Sequence, residues 1–81
     1  MRVRVRLFAA LREAVGRREL ELELPPVATA EEAWRRLVAD TPALADRRRG
    51  LAASVNRKYA PFDHPLAEGD ELVFIPPVSG G

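Results

Sequence analysis

The sequence predicts an α+β domain in which one helix packs across one face of a mixed β-sheet. Two stretches near the start alternate apolar and charged residues with a period of two. A single amphipathic helix with a clear start signal follows them. The second half holds only short extended segments separated by turn residues. At 81 residues the chain makes one small domain, which buries only ~60–65% of the surface its unfolded form exposes.

In the first segment Val3, Val5 and Leu7 point one way and Arg2, Arg4 and Arg6 the other, the pattern of a half-buried strand. The segment 18–24 repeats it with Glu19, Glu21 and Glu23 on the polar side. Antiparallel pairing would set three arginines opposite three glutamates on the outer face, each pair contributing ~0.2–1 kcal/mol. Residues 9–16 join the two strands, with a helical turn through Leu11–Ala14 stopped by Gly16. Pro25-Pro26 ends the second strand. Thr29 and Glu32 form a capping box. Behind it Ala30, Ala33, Trp34, Leu37 and Val38 line one helix face, and Asp40-Thr41-Pro42 ends the helix. A shorter helical segment follows around 43–47. Residues 51–55 read as a third strand, 56–58 as a turn, 59–62 as a short extended piece and 71–75 as the last strand. Hairpin, helix, short strands and final strand, at this size, fit a β-grasp (ubiquitin-like) roll. The domain is expected over 1–75, with a flexible C-terminal tail over 76–81.

Composition narrows function mainly by exclusion. The 13 Lys+Arg and 12 Asp+Glu leave a formal net charge of +1, so no bulk field favours nucleic acid. With no cysteine there is no thiol nucleophile, thiolate metal site or disulfide, and one histidine excludes a histidine metal cluster. No apolar run approaches the ~18–20 residues that span a bilayer, and Met1–Val5 alternates, unlike a signal peptide. A soluble cytoplasmic protein that binds neither metal, nucleic acid nor membrane is the expectation.

The most informative residues are the last two. Gly80-Gly81 closes the run Pro76-Pro77-Val78-Ser79-Gly80-Gly81 behind the apolar stretch 71–75. A terminal diglycine presents a carboxylate on a stalk without side chains, suited to a narrow site on a partner enzyme. The two prolines cannot extend a sheet ladder and stiffen the base of that stalk. Six residues reach at most ~20 Å. Two further features break the core pattern. Phe8 falls on the arginine side of the first strand. In the last strand, with Leu72 and Phe74 turned inward, Val73 and Ile75 face outward. First and last strands side by side would put Phe8 and Ile75 in one exposed apolar patch at the root of the tail. Other candidates read as structure. His64 lies between Asp63 and Pro65 in a turn, and Ser79 has no accompanying base. Asp63, Glu68, Asp70 and Glu71 read as turn chemistry, Arg47-Arg48-Arg49 as a solvated basic loop, and Trp34 as core.

Four blocks together resemble the small subunit of molybdopterin synthase, the MoaD-type sulfur carriers. They are residues 7–16 (LFAALREAVG), Val55-Asn56, residues 62–72 (FDHPLAEGDEL) and residues 74–81 (FIPPVSGG). The family often carries a second Phe at the position of Ile75. The resemblance implies that Gly81 is the reactive group. A ubiquitin-activating-type partner would use ATP and Mg²⁺ to adenylate its carboxylate, and a persulfide sulfur donor would convert it to a thiocarboxylate. The tail, Pro76 through Gly80, would then thread into the synthase large subunit, where sulfur passes to cyclic pyranopterin monophosphate. It also implies that Phe8, Tyr59 and Ile75 contact these partners. The chain itself would bind no cofactor and hold no catalytic site. Carriers for thiamin thiazole or tRNA thiolation, and ubiquitin-like protein modifiers, share the diglycine and stay open as alternatives.

Overall fold

A computed structural model describes residues 1–77. Its elements are β1 (Arg2–Leu7), α1 (Ala9–Val15), β2 (Glu19–Glu23), α2 (Ala30–Asp40), a 3₁₀ segment (Pro42–Arg47), β3 (Ala52–Val55), β4 (Lys58–Ala60) and β5 (Glu71–Ile75). The strands form one mixed sheet in the order β2-β1-β5-β3-β4, with β1 and β5 parallel at its centre and the other pairs antiparallel. With α2 packed on one face, this is the β-grasp roll that the element order predicts.

The β1–β2 register matches the charge pattern. Arg2, Arg4 and Arg6 lie opposite Glu23, Glu21 and Glu19. The close ion pairs are Arg2–Glu23 at 3.6 Å and, diagonally, Arg4–Glu19 at 3.5 Å. All are solvent-exposed, so they favour the register more than they add stability. On the opposite face Val3, Val5, Leu7 and Leu22 are buried. The capping box forms in full: Glu32 N–H donates to Thr29 Oγ1 at 3.2 Å, and Glu32 Oε1 accepts from Thr29 N–H at 3.4 Å. It starts α2 so that Ala30, Ala33, Trp34 and Leu37 are buried, while Val38 sits half-buried at the edge of that stripe.

Phe74 is the centre of the core, fully buried on the inner face of β5. Trp34 meets it edge-on at 5.2 Å between ring centroids, and Phe62 stacks on it at 5.9 Å. Arg48 caps the stack, its guanidinium 3.6 Å from the Phe62 ring centroid. The same group donates to Glu31 through Nε and Nη2 at 2.8–3.1 Å. The basic run is therefore not uniformly solvated. Arg47 and Arg49 are exposed, but Arg48 lies over an aromatic ring and is paired. A surface charge run carries no sequence signal for such a contact, because the partners come from α2 and the loop after β4.

The motif Val55-Asn56 also proves structural. Asn56 and Arg57 both have positive φ (51° and 71°) and form the two-residue turn between β3 and β4, the primed geometry that suits hairpin twist. Asn56 Nδ2 donates to Asp70 Oδ1 at 2.9 Å, and Asn56 Oδ1 accepts from Glu71 N–H at 2.9 Å. Asp70 Oδ2 accepts from Ala67 N–H at 2.8 Å. The acidic residues around 68–71 thus serve the turn that leads into β5.

Two predictions follow from local energetics. Val27 is third in the Pro25–Ala28 turn, with φ +59° and its side chain 74% exposed. A β-branched residue is strained there and packs against little. Val27→Gly should raise stability by about 1 kcal/mol, seen as a higher urea midpoint at unchanged slope; a lower midpoint would refute this. The Arg48 hydrogen bonds and charge hold the Glu31 carboxyl below its ordinary value of 4.5, against a smaller opposing effect of burial. A depressed carboxylate adds stability above the unfolded value and loses it as pH falls through the folded one. Glu31→Gln should cost about 0.5–1 kcal/mol at pH 7, and the gap to the parent should close in acid; a pH-independent gap would rule out the ion pair as its source.

Candidate functional site

The parallel register sets Leu7 beside Phe74, so Phe8 follows at the level of Ile75. Phe8 is still extended (φ −127°, ψ 159°) and caps α1, so it stays on the outer side, 44% exposed. The Arg6 guanidinium lies 5.8 Å from its ring centroid on that same side. Ala9 then takes φ +49°, and the chain turns sharply into α1. In β5 the alternation is as expected: Leu72 and Phe74 are fully buried inward, Val73 and Ile75 half-buried outward.

Tyr59 joins this patch through the sheet. Arg6 on β1 is registered with Val73 on β5, Val73 with Ser54 on β3, and Ser54 with Tyr59 on β4. Tyr59 is 80% exposed. At about 4.8 Å per strand its backbone lies roughly 10 Å from that of Val73. The structure therefore brings Phe8, Tyr59, Val73 and Ile75 onto one outer face. It adds Ala52 and Ser54, registered with Ile75 and Val73, which sequence reasoning did not select. Their small side chains form a low floor between the last strand and Tyr59. The segment 51–55 could be read as a strand, but the sequence did not show which strand would lie next to it.

The chain leaves the sheet at the same pole. Pro76 is half-buried and Pro77 exposed. Together with Ala9, Ala10, Leu11, Asp46, Arg47 and Arg49 they line a cleft of about 440 Å³. Val78, Ser79, Gly80 and Gly81, named above as the threading residues and the reactive group, lie outside the described residues. A second hollow of about 530 Å³ is lined by Tyr59, His64 and Asp70 among others. His64 itself is held by its backbone, whose N–H donates to Pro61 and whose carbonyl accepts from Ala30. Among the described residues no three His, Asp or Glu side chains are placed to hold a metal ion. No helix among them is long and apolar enough to cross a membrane. The described surface offers a partly apolar face beside an outgoing strand.

This roll, with its apolar outer face beside the exit of the central strand, defines a ubiquitin-like domain. The chain belongs to the ThiS family, whose model matches residues 5–81. It is 43% identical to the molybdopterin synthase sulfur carrier subunit of Escherichia coli (strain K12), over 98% of this chain and 99% of that one. It is 34% identical to the molybdopterin synthase sulfur carrier subunit of Arabidopsis thaliana, over 98% of this chain and 82% of the relative. Among solved structures, the crystal structure of SAMP1 from Haloferax volcanii superposes with a TM-score of 0.89 at 32% identity, covering the whole of both chains.

The two faces of the sheet should respond differently to truncation. Tyr59→Ala should change stability by less than about 0.5 kcal/mol. Phe74→Ala should cost about 3–5 kcal/mol. Chemical denaturation of both variants checks this, and a Tyr59→Ala loss comparable to that of Phe74→Ala would place Tyr59 in the core.

Proposed function

We propose that this chain is the sulfur carrier subunit of a molybdopterin synthase, with the Gly81 carboxylate as its reactive group. The observation that carries the reading is the 43% identity to a sulfur carrier subunit across nearly the whole of both chains. The geometry supports it: the root of the tail and the apolar outer face share one pole, so a single partner can cover the face and receive the tail.

The chemistry follows from the poor reactivity of a carboxylate. In an activating partner of the ubiquitin-activating type, a Gly81 carboxylate oxygen attacks the α-phosphorus of Mg²⁺–ATP and expels pyrophosphate. AMP is then the leaving group when a persulfide sulfur attacks the carbonyl carbon. A second thiol cleaves the resulting S–S bond, forming a disulfide and releasing the C-terminal thiocarboxylate. In the synthase large subunit the thiocarboxylate sulfur bonds to a carbon of cyclic pyranopterin monophosphate, and water then cleaves the acyl C–S bond, leaving sulfur on the pterin and restoring the Gly81 carboxylate. The carrier contributes docking and reach, and its partners contribute the nucleotide, metal and acid–base groups. Phe8, Tyr59, Val73 and Ile75 form the docking face, and Pro76 through Gly80 the stalk.

A second reading, a ubiquitin-like protein modifier, is favoured by 36% identity to small archaeal modifier protein 1 of Haloferax volcanii over 94% of this chain and 97% of that one. Intact-mass measurement of the chain from its own cells separates the two. A species in which sulfur replaces one oxygen, absent from a Gly81-deleted form, supports the carrier; an isopeptide adduct through Gly81 to a target lysine supports the modifier. For the docking face, Phe8→Asp should weaken binding to the large subunit at least about tenfold, roughly 1.4 kcal/mol, with an unchanged circular dichroism spectrum. Wild-type affinity in that variant would remove Phe8 from the interface.

A further inference from the structure

The approach to the tail contains a contact that the docking face does not explain. Gly50 closes the loop between the 3₁₀ segment and β3 with φ +75°. A Cβ built on it would come within 3.3 Å of Pro77 Cγ and 3.5 Å of Pro77 Cβ. Pro77 Cδ follows at 4.0 Å, so the three nearest atoms beyond the adjoining residues all belong to the proline ring. The first of these distances is tighter than an ordinary carbon contact, so a side chain at 50 would need the proline ring to give by a few tenths of an ångström. The ring thus lies closest to the position where glycine alone has no side chain, at a φ that also favours glycine. Pro76 and Pro77 form one wall of the 440 Å³ cleft, whose opposite side is α1 and the 3₁₀ end. The chain therefore passes beside Gly50 at its last described residue, two positions beyond the end of β5. Proline is suited to such a seat, because its fixed φ makes the ring and the onward chain direction a single unit.

We propose that Gly50 is a positioning residue for the tail. By lacking a side chain it seats Pro77, and the seated proline sets the direction of the chain at its last described residue. Positional error at a reacting group is costly, since a displacement of about 1 Å can lower a rate by up to ~100-fold. The seat therefore governs how often the Gly81 carboxylate reaches the activating site, and leaves the affinity of the docking face unaltered. This rests on the carrier reading above.

A double-mutant cycle on the full chain tests it, with Gly50→Ala, Pro77→Ala and the pair together. ATP–pyrophosphate exchange catalysed by the activating enzyme from the same cells reports adenylation. Gly50→Ala should lower kcat by about tenfold or more with KM for the carrier within about twofold of the parent. In the Pro77→Ala background, where Cγ is gone, the same substitution should cost only a small part of that. The backbone strain of alanine at positive φ is common to both backgrounds, so a purely structural role for Gly50 predicts equal losses. Equal losses, or an unchanged kcat in Gly50→Ala, overturn the proposal. Nuclear Overhauser contacts between the Gly50 α-protons and the Pro77 γ-protons should be present in the free chain. Their absence overturns the seat without reference to any partner. If those contacts are present but the wild-type chain supports no exchange, the carrier reading falls, and with it the role given to the seat.

Discussion

The parallel pairing of β1 with β5 is the constraint on which the rest of the structure depends. It joins the first segment of the chain to the last and so encloses everything between. Its closure entropy is offset by the apolar residues it brings together, with Val5 beside Leu72 and Leu7 beside Phe74, all buried. Phe74 closes this pairing opposite Leu7, and its ring meets Trp34 from α2 and Phe62 from the loop after β4. The helix, the hairpin and the long return loop meet one another largely through that ring.

The same pairing places the site. Parallel neighbours end at the same pole, so Phe8 beyond β1 and Ile75 at the end of β5 are adjacent, and the chain leaves the sheet beside them. Because β3 runs antiparallel to β5, its first residue, Ala52, arrives at that pole together with Gly50. The apolar outer face and the exit of the chain beside it are thus consequences of strand direction. Moving β5 by one residue would bury Val73 and Ile75 and turn Phe74 to solvent, which the core does not permit.

Backbone strain is unevenly distributed over this frame. Asn56 and Arg57 use positive φ to make a tight hairpin, and the amide of Asn56 is repaid by hydrogen bonds to Asp70 and Glu71. Ala9 adopts positive φ at the junction between Phe8 and the cleft. Val27 does so at the opposite pole, in a turn whose fold-wide role is only to connect β2 to α2. Ala9 lines the cleft beside Pro76 and Pro77, whereas at Val27 the exposed side chain contributes nothing that compensates.

Most of the architecture was legible in the sequence because it rests on short-range periodicity. The alternation in β1 and β2, the Thr29–Glu32 capping box, the apolar stripe of α2 and the inward turn of Leu72 and Phe74 are each local patterns with one physical reading. Phe8 and Ile75 could be recognised as outward because they break such patterns, and the diglycine is plain in the last two letters. Other features depend on which segments become neighbours, and spacing along the chain does not encode that. Tyr59 joins the outer face with Val73 only through the register of β4 on β3, and Ala52 and Ser54 lie between them only because β3 lies between β5 and β4. Arg48 leaves a basic run to cover Phe62 because Glu31 waits on α2 to hold it. Gly50 acquires meaning only when Pro77, 27 residues later in the chain, comes to lie against it. Periodicity determines which side of an element is apolar; the closing of the sheet decides what that side touches.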